Sequence, residues 1–175
     1  MSKLTMMLRA LRWAPLMGIV GLSNIGEAGD IHGYHQLLAT TIKNVRGTLE
    51  DGLKASERLG KPISAKFAVE RGVVYLAISI AKNDSFSEFI LYPTIRIVTE
   101  IVKVTDAAEL KIAVERKLAM ERASISLLSA AKNAVEANYG SRVVSIFPMV
   151  EEGHPIAVVT LLLNGEFNTV LEELN

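Results

Sequence analysis

The chain has 175 residues, 50% of them hydrophobic and 22% charged, enough apolar mass for a buried core and far from the composition of a disordered chain. Nineteen Lys and Arg balance nineteen Asp and Glu, so there is no electrostatic footprint for nucleic acid, and no basic patch interleaves with aromatics. Cysteine is absent, which removes disulfides, thiolate metal sites and cysteine nucleophiles.

Lys3, Arg9 and Arg12 form a positive leader with no acid before Glu27. The apolar run Trp13 to Leu22 follows, and then Gly26 and Ala28 at the spacing a signal peptidase prefers. That order predicts a signal peptide over residues 1–28 and a periplasmic or secreted mature protein. An uncleaved N-terminal helix is the alternative. The run is about ten residues, short of the roughly 20 that cross a bilayer, so no stable membrane span is expected after cleavage.

Between Ile31 and Leu59, apolar residues fall at Leu38, Ile42, Val45, Leu49 and Leu53, in steps of three and four that mark one helical face. Gly47 and Gly52 lie inside the run and each costs about 1 kcal/mol relative to alanine, so this helix is expected to bend or to start late. Gly60 and then Lys61-Pro62 read as its stop: a glycine tolerant of positive φ, then a proline that cannot continue the helix. From Ile63 the period changes to two. Ile63, Ala65, Phe67 and Val69 alternate with Ser64, Lys66, Ala68 and Glu70, a strand with one buried face. Arg71-Gly72 turns the chain. Val73 to Ala81, Phe86 to Tyr92 and Ile95 to Val104 complete an antiparallel meander.

Asp106 and Glu109 have the spacing of a capping box, and neither proline nor glycine interrupts the stretch to Tyr139. The apolar face drifts between Leu118 and Ile125, which leaves either one long helix or two joined near Arg122 to Ser124. A second meander follows in Val143 to Val150, Ile156 to Leu163 and Phe167 to Leu171, with turns at Glu151-Glu152-Gly153 and Asn164-Gly165. The helix-then-meander unit recurs at an offset of 80 to 81 residues: Gly60 matches Gly140, and Glu70, Gly72 and Ser79 match Glu151, Gly153 and Thr160. The expected fold is α+β, with a first repeat over residues 29–105 and a second over 106–175, packed together because no linker separates them.

Leu49-Glu-Asp-Gly-Leu-Lys-Ala55, Lys66-Phe-Ala-Val-Glu-Arg-Gly72 and Tyr75-Leu-Ala-Ile-Ser-Ile80 resemble the PepSY family, as do Ala130-Ala-Lys-Asn-Ala-Val135, Val144 to Gly153 and Ile156 to Leu162. The likeness covers most of the chain after Gly47 and departs from the family after the third strand, where Tyr92-Pro93-Thr94 stands in place of an Asp-x-x-Thr-Gly-like turn. The resemblance implies two tandem extracytoplasmic modules, each a helix on an antiparallel sheet similar to the cystatin arrangement, with no catalytic residue to carry over. It also implies an interaction or regulatory role, restraining a peptidase or modulating an envelope partner.

Reaction motifs are missing from the sequence: it holds no Gly-x-Ser-x-Gly elbow, phosphate-binding loop, His-Glu-x-x-His or dinucleotide fingerprint. His32 and His35, three apart near Asp30, have a spacing that can hold a transition metal; the plainer reading is a polar mature N-terminus, and no metal is assigned. His154 follows a turn. Glu70, Glu151 and Glu152 sit at matching corners, where paired carboxylates do acid/base work only if burial splits their pKa values. Phe67, Tyr75, Phe86, Phe89 and Phe147 fall on strands, either as core or as the lining of a cleft between helix and sheet. The expectation is therefore a non-enzymatic protein with no cofactor, no metal and no nucleic-acid partner. Its partner would be a protein, with self-association left open. The alternative is a carrier of a small apolar ligand held between helix and curved sheet.

Overall fold

The computed structural model describes residues 28–93 and 97–175. The expected signal peptide, apart from Ala28, lies outside the described residues.

The run from Ile31 to Leu59 is two helices, not one. α1 spans Ala28–Ile42 and α2 spans Leu49–Ser56. The break falls where Thr48 starts a new helix: its side chain accepts from the Asp51 N–H while the Asp51 carboxylate accepts from the Thr48 N–H, a reciprocal cap. Gly52 is used for approach. A Cβ there would lie 2.2 Å from Leu76 Cδ2 and 3.0 Å from Ile78 Cδ1, so the bare backbone lets α2 settle onto the sheet. Gly60 does not act through positive φ as expected; a Cβ there would meet the Ala81 carbonyl oxygen at 2.8 Å. Its counterpart Gly140 does take positive φ, at +83°.

Four strands follow: β1 (Lys61–Glu70), β2 (Val73–Lys82), β3 (Ser85–Tyr92) and β4 (Ile97–Lys103). Next come α3 (Ala107–Arg122) and α4 (Leu127–Ala137), which resolves the Asp106 to Tyr139 stretch into two helices. Asp106 caps α3 by accepting from the Ala108 and Glu109 N–H groups, and Ser126 caps α4 by accepting from Ser129. The joint is pinned to the end of the chain, because the Ser124 and Ile125 N–H groups donate to the Leu174 carbonyl at 2.7 and 3.2 Å. β5 (Arg142–Glu151), β6 (His154–Leu163) and β7 (Glu166–Glu173) complete the chain.

All seven strands join one antiparallel sheet in the order β4-β3-β2-β1-β5-β6-β7. The two meanders meet at the centre, where β1 pairs with β5 through Ala65 opposite Ile146 and Lys66 opposite Ser145. The protein is thus α+β, with four helices and a seven-stranded antiparallel sheet among the described residues. β1 and β5 each carry an irregularity near their start, between Pro62 and Ser64 and between Val143 and Ser145.

The sheet is covered on both faces. Leu76 and Ile78, against which α2 rests, lie opposite Phe67 and Ala65, so this layer also holds Val69, Val74, Ile146 and Val159. Leu38, Ile42, Leu49, Leu53, Leu127, Ala130 and Ala134 of the helices share its cluster. Ser64 and Phe147 alternate with Ala65 and Ile146 and point the other way, and Arg116 of α3 touches both. α3 therefore crosses the opposite face. On the expected strands, Leu76, Ile78, Ile80 and Leu162 are buried. Val158 is only partly buried, and Ala157, Val159 and Leu161 are the deeper residues of β6.

Three hairpins turn on two residues, Arg71-Gly72, Glu152-Gly153 and Asn164-Gly165, with both residues at positive φ. Asparagine tolerates that region and longer side chains do not, so Arg71→Asn and Glu152→Asn should each stabilise the fold by about 0.5 kcal/mol. The register places the two turns at opposite ends of the sheet. Urea denaturation of the single and double variants should show the two gains adding.

Candidate functional site

Three features stand out as places where chemistry or recognition can occur. The first is a cleft of about 390 Å3 at the end of the sheet, lined by Thr41, Asn44, Val45, Gly72, Val73, Val74 and Tyr92. It lies between the end of α1 with its following loop and the β1–β2 turn. Its walls are mostly valine and one tyrosine ring, and Tyr92 leans on Tyr75 with centroids 6.3 Å apart. Thr41 does not offer its hydroxyl proton to the cleft, because Oγ1 donates back to the Leu37 carbonyl at 2.6 Å.

One wall of that region is held by Arg142, the first residue of β5. Its Nη1 donates to the Ile42 and Val45 carbonyls at 3.0 and 2.7 Å, and its Nη2 donates to the Gly47 carbonyl. The guanidinium sits 5.2 Å from the centre of the Phe67 ring. Burial pulls its pKa down, while the Glu50 carboxylate opposes that shift. Tyr34, about two turns earlier on α1, has a phenol pKa pushed up by burial against a smaller lowering from a hydrogen bond to the Val69 backbone.

The second feature is the face under α3. Ser64, Ser79, Ser145 and Thr160 are buried there among Ala68, Ala77 and Ile90, with Glu88 4% exposed. Arg116 reaches into this layer, donates to Ser64 Oγ at 3.0 Å and lies 5.0 Å from the Phe147 ring centre. Desolvation lowers its pKa to about 10, partly offset by Glu115, so it remains charged at neutral pH. The Ser145 hydroxyl is buried without a partner among the described residues. This is a polar layer around the half-buried Arg116 guanidinium, and sequence reasoning missed it.

The third feature is the outer edge of β7. Leu163 and Glu166 flank a two-residue turn and exchange backbone hydrogen bonds; alternation then directs Phe167, Thr169, Leu171 and Glu173 outward, away from β6. The Leu174 N–H bonded to the Pro155 carbonyl at 3.0 Å agrees with that phase. Leu171 is 58% exposed on this edge. Burial raises the pKa of Glu172 beside it.

The residues singled out from the sequence do not come together. The His35 ring lies 5.1 Å from that of Phe167 at the upper end of β7, and the side chain of His32 lies outside the description. His154 is exposed and pairs across the hairpin with Glu151. Among the described residues, no three of His, Cys, Asp and Glu are placed to hold a metal ion. Glu70 and Glu151 cannot act as a pair. Ala65 faces Ile146, and the two glutamates lie five residues beyond these in opposite directions, a separation of roughly 33 Å. Phe67 and Phe89 are core residues, so the strand aromatic at the cleft is Tyr92.

Among the described residues, no helix is long and apolar enough to cross a membrane. No family model matches the chain, and no curated protein matches it. A crystal structure with a related arrangement is that of a candidate lipoprotein from Clostridium difficile 630, with a TM-score of 0.44 and 8% identity. That likeness covers 77% of this chain and 91% of the other, and no role is transferred from it.

Proposed function

We propose that this protein is an extracytoplasmic, non-enzymatic interaction module built from two PepSY-like helix-and-meander units, which takes a protein partner by strand addition at β7. The two-unit reading is supported by register. β1 with β2 and β5 with β6 pair identically at an offset of 81 residues, for example Ala65 with Ile78 and Ile146 with Val159. The strand irregularities and the Arg71 and Glu152 turns repeat at the same offset. Fusion of two meanders through their first strands sends the last strand of each to an outer edge.

The observation that carries the binding reading is the β7 edge, with its outward backbone groups and the exposed Leu171. Unpaired edge groups are a template for another strand, and alternate side chains then set selectivity. A photo-crosslinking residue at position 169, in protein recovered from the native envelope, should form a discrete adduct that the same probe at Lys111 does not form. Equal labelling at both positions, or an intact Met1 form confined to the cytosol, would contradict this reading.

A second reading, carriage of a small apolar ligand, is favoured by the cleft beside Val45, Val73, Val74 and Tyr92. Val73→Trp, at an exposed position of the cleft wall, fills that space. It should abolish uptake of an apolar fluorescent probe if the cleft is the ligand site, and leave crosslinking at position 169 unchanged.

A further inference from the structure

We infer that the β7 edge selects an extended basic polypeptide segment. This rests on the strand-addition reading and adds the chemistry of the partner. Residues 143–175, the second meander apart from Arg142 at the start of β5, carry Glu151, Glu152, Glu166, Glu172 and Glu173 and contain no lysine or arginine. Three of these acids stand on β7 itself, one at its start and two at its end. The other two occupy the β5–β6 turn at the end of the sheet where Glu172 and Glu173 lie, because Glu151 pairs with His154 and Glu173 with Ile156. That turn is about two strand spacings from β7, roughly 10 Å, comparable to the screening length in physiological salt. Lys43 lies near Gly165 at one end of β7, and Arg122 stands two residues before Ser124, whose N–H donates to the Leu174 carbonyl at the other. Glu151, Glu152, Glu172 and Glu173 outnumber that arginine.

Alternation then specifies the segment. Phe167, Thr169, Leu171 and Glu173 put their side chains on one face, and Glu166, Asn168, Val170 and Glu172 on the other. An added strand places a side chain beside each. Lysine or arginine at both ends meets the glutamates, and β-branched residues in the middle cover Thr169, Val170 and Leu171. An acidic strand meets like charge at three positions on the edge itself, which is repulsive.

The test uses the full chain and two synthetic labelled peptides, one alternating Lys and Val and one alternating Glu and Val, followed by fluorescence anisotropy. The Lys peptide should bind, and the Glu peptide should bind at least tenfold more weakly. Neutralising Glu166→Gln, Glu172→Gln and Glu173→Gln together should weaken the Lys peptide at least tenfold, and raising salt should do the same. Non-specific attraction is separated by Thr169→Pro, which keeps the charge and removes only an outward N–H, a position where an edge strand accepts proline. It should abolish binding while circular dichroism and the melting temperature stay near wild type, and Thr169→Val should bind normally.

Equal binding of both peptides, or full binding by folded Thr169→Pro, overturns the inference. Self-association of the wild type, lost in Thr169→Pro with neither peptide bound, assigns the edge to a second copy and also overturns it. If the peptides fail while crosslinking at position 169 persists, the edge still docks a partner and only the basic selectivity falls.

Discussion

Phe67→Ala should destabilise the fold by about 3–5 kcal/mol, the range for deleting a fully buried aromatic. The ring has no solvent exposure and sits in the central strand, opposite Leu76 and beneath the Arg142 guanidinium. Removing it opens a cavity where β1, α2 and β5 converge. It also strips the cation of its aromatic partner, worth about 0.5–2 kcal/mol. Small domains have only about 5–15 kcal/mol in total, so the variant should sit near the edge of folding. Phe147→Ala is the comparison. That ring is only partly buried on the opposite face, so its loss should cost about 1–2 kcal/mol less than the loss of Phe67. Urea denaturation of both variants measures the ranking, and equal losses would show that the layer under α1, α2 and α4 is not the principal core.

The strands were legible because period-two alternation and turn residues are local signals. Each expected strand from Ile63 to Leu171 corresponds to an observed one, with ends that shift by a few residues. Where both faces are covered, alternation fades. His154 to Leu163 is nearly continuous apolar sequence because β6 lies inside the sheet with helices on both sides, so its sequence does not distinguish the partly buried Val158 from the fully buried Val159. The helix break at residues 43–48 did have a local signal, Thr48-Leu-Glu-Asp51, which the longer apolar periodicity overrode. Strand order had no local signal. The contact of β1 with β5 joins residues some 80 positions apart, beyond the reach of any local pattern.

The sites were less legible than the fold, for a related reason. Arg116 and Arg142 each follow ordinary helix or strand patterning, in which a cation is assumed to be solvated. Their burial comes from partners distant in sequence, Ser64 and Phe147 in one case and Ile42, Val45 and Gly47 in the other. The glutamate corners failed in the opposite way. Glu70 ends β1 and Glu151 ends β5, and the antiparallel pairing of these two strands is what drives them to opposite ends of the sheet.

Arg142→Met should cost about 2–4 kcal/mol and should loosen α1 before it loosens the sheet. Methionine keeps an apolar stem over Phe67 but not the charge, so the loss falls on the cation–ring contact and on the carbonyls. That of Ile42 still accepts from the Val45 N–H at 3.0 Å, while those of Val45 and Gly47 lose the guanidinium. The last carbonyls of a helix have no intrahelical donor, and a cation there satisfies both their hydrogen bonding and the helix dipole. Each carbonyl left without its partner costs about 1–3 kcal/mol if it stays buried, and less where water can enter. Asn44 and Arg46 are exposed, so part of the loop will rehydrate and the total should fall short of three full penalties. Arg142→Lys should recover less than half of the loss, because one ammonium cannot reproduce the planar fork that reaches all three oxygens. Hydrogen exchange separates the local effect from the global one. Amides of α1 and of residues 43–47 should lose protection in Arg142→Met by more than those of β2 and β6, since β5 keeps its ladder. Uniform loss across the sheet would mean that Arg142 holds the junction of the two meanders, with the attachment of α1 secondary.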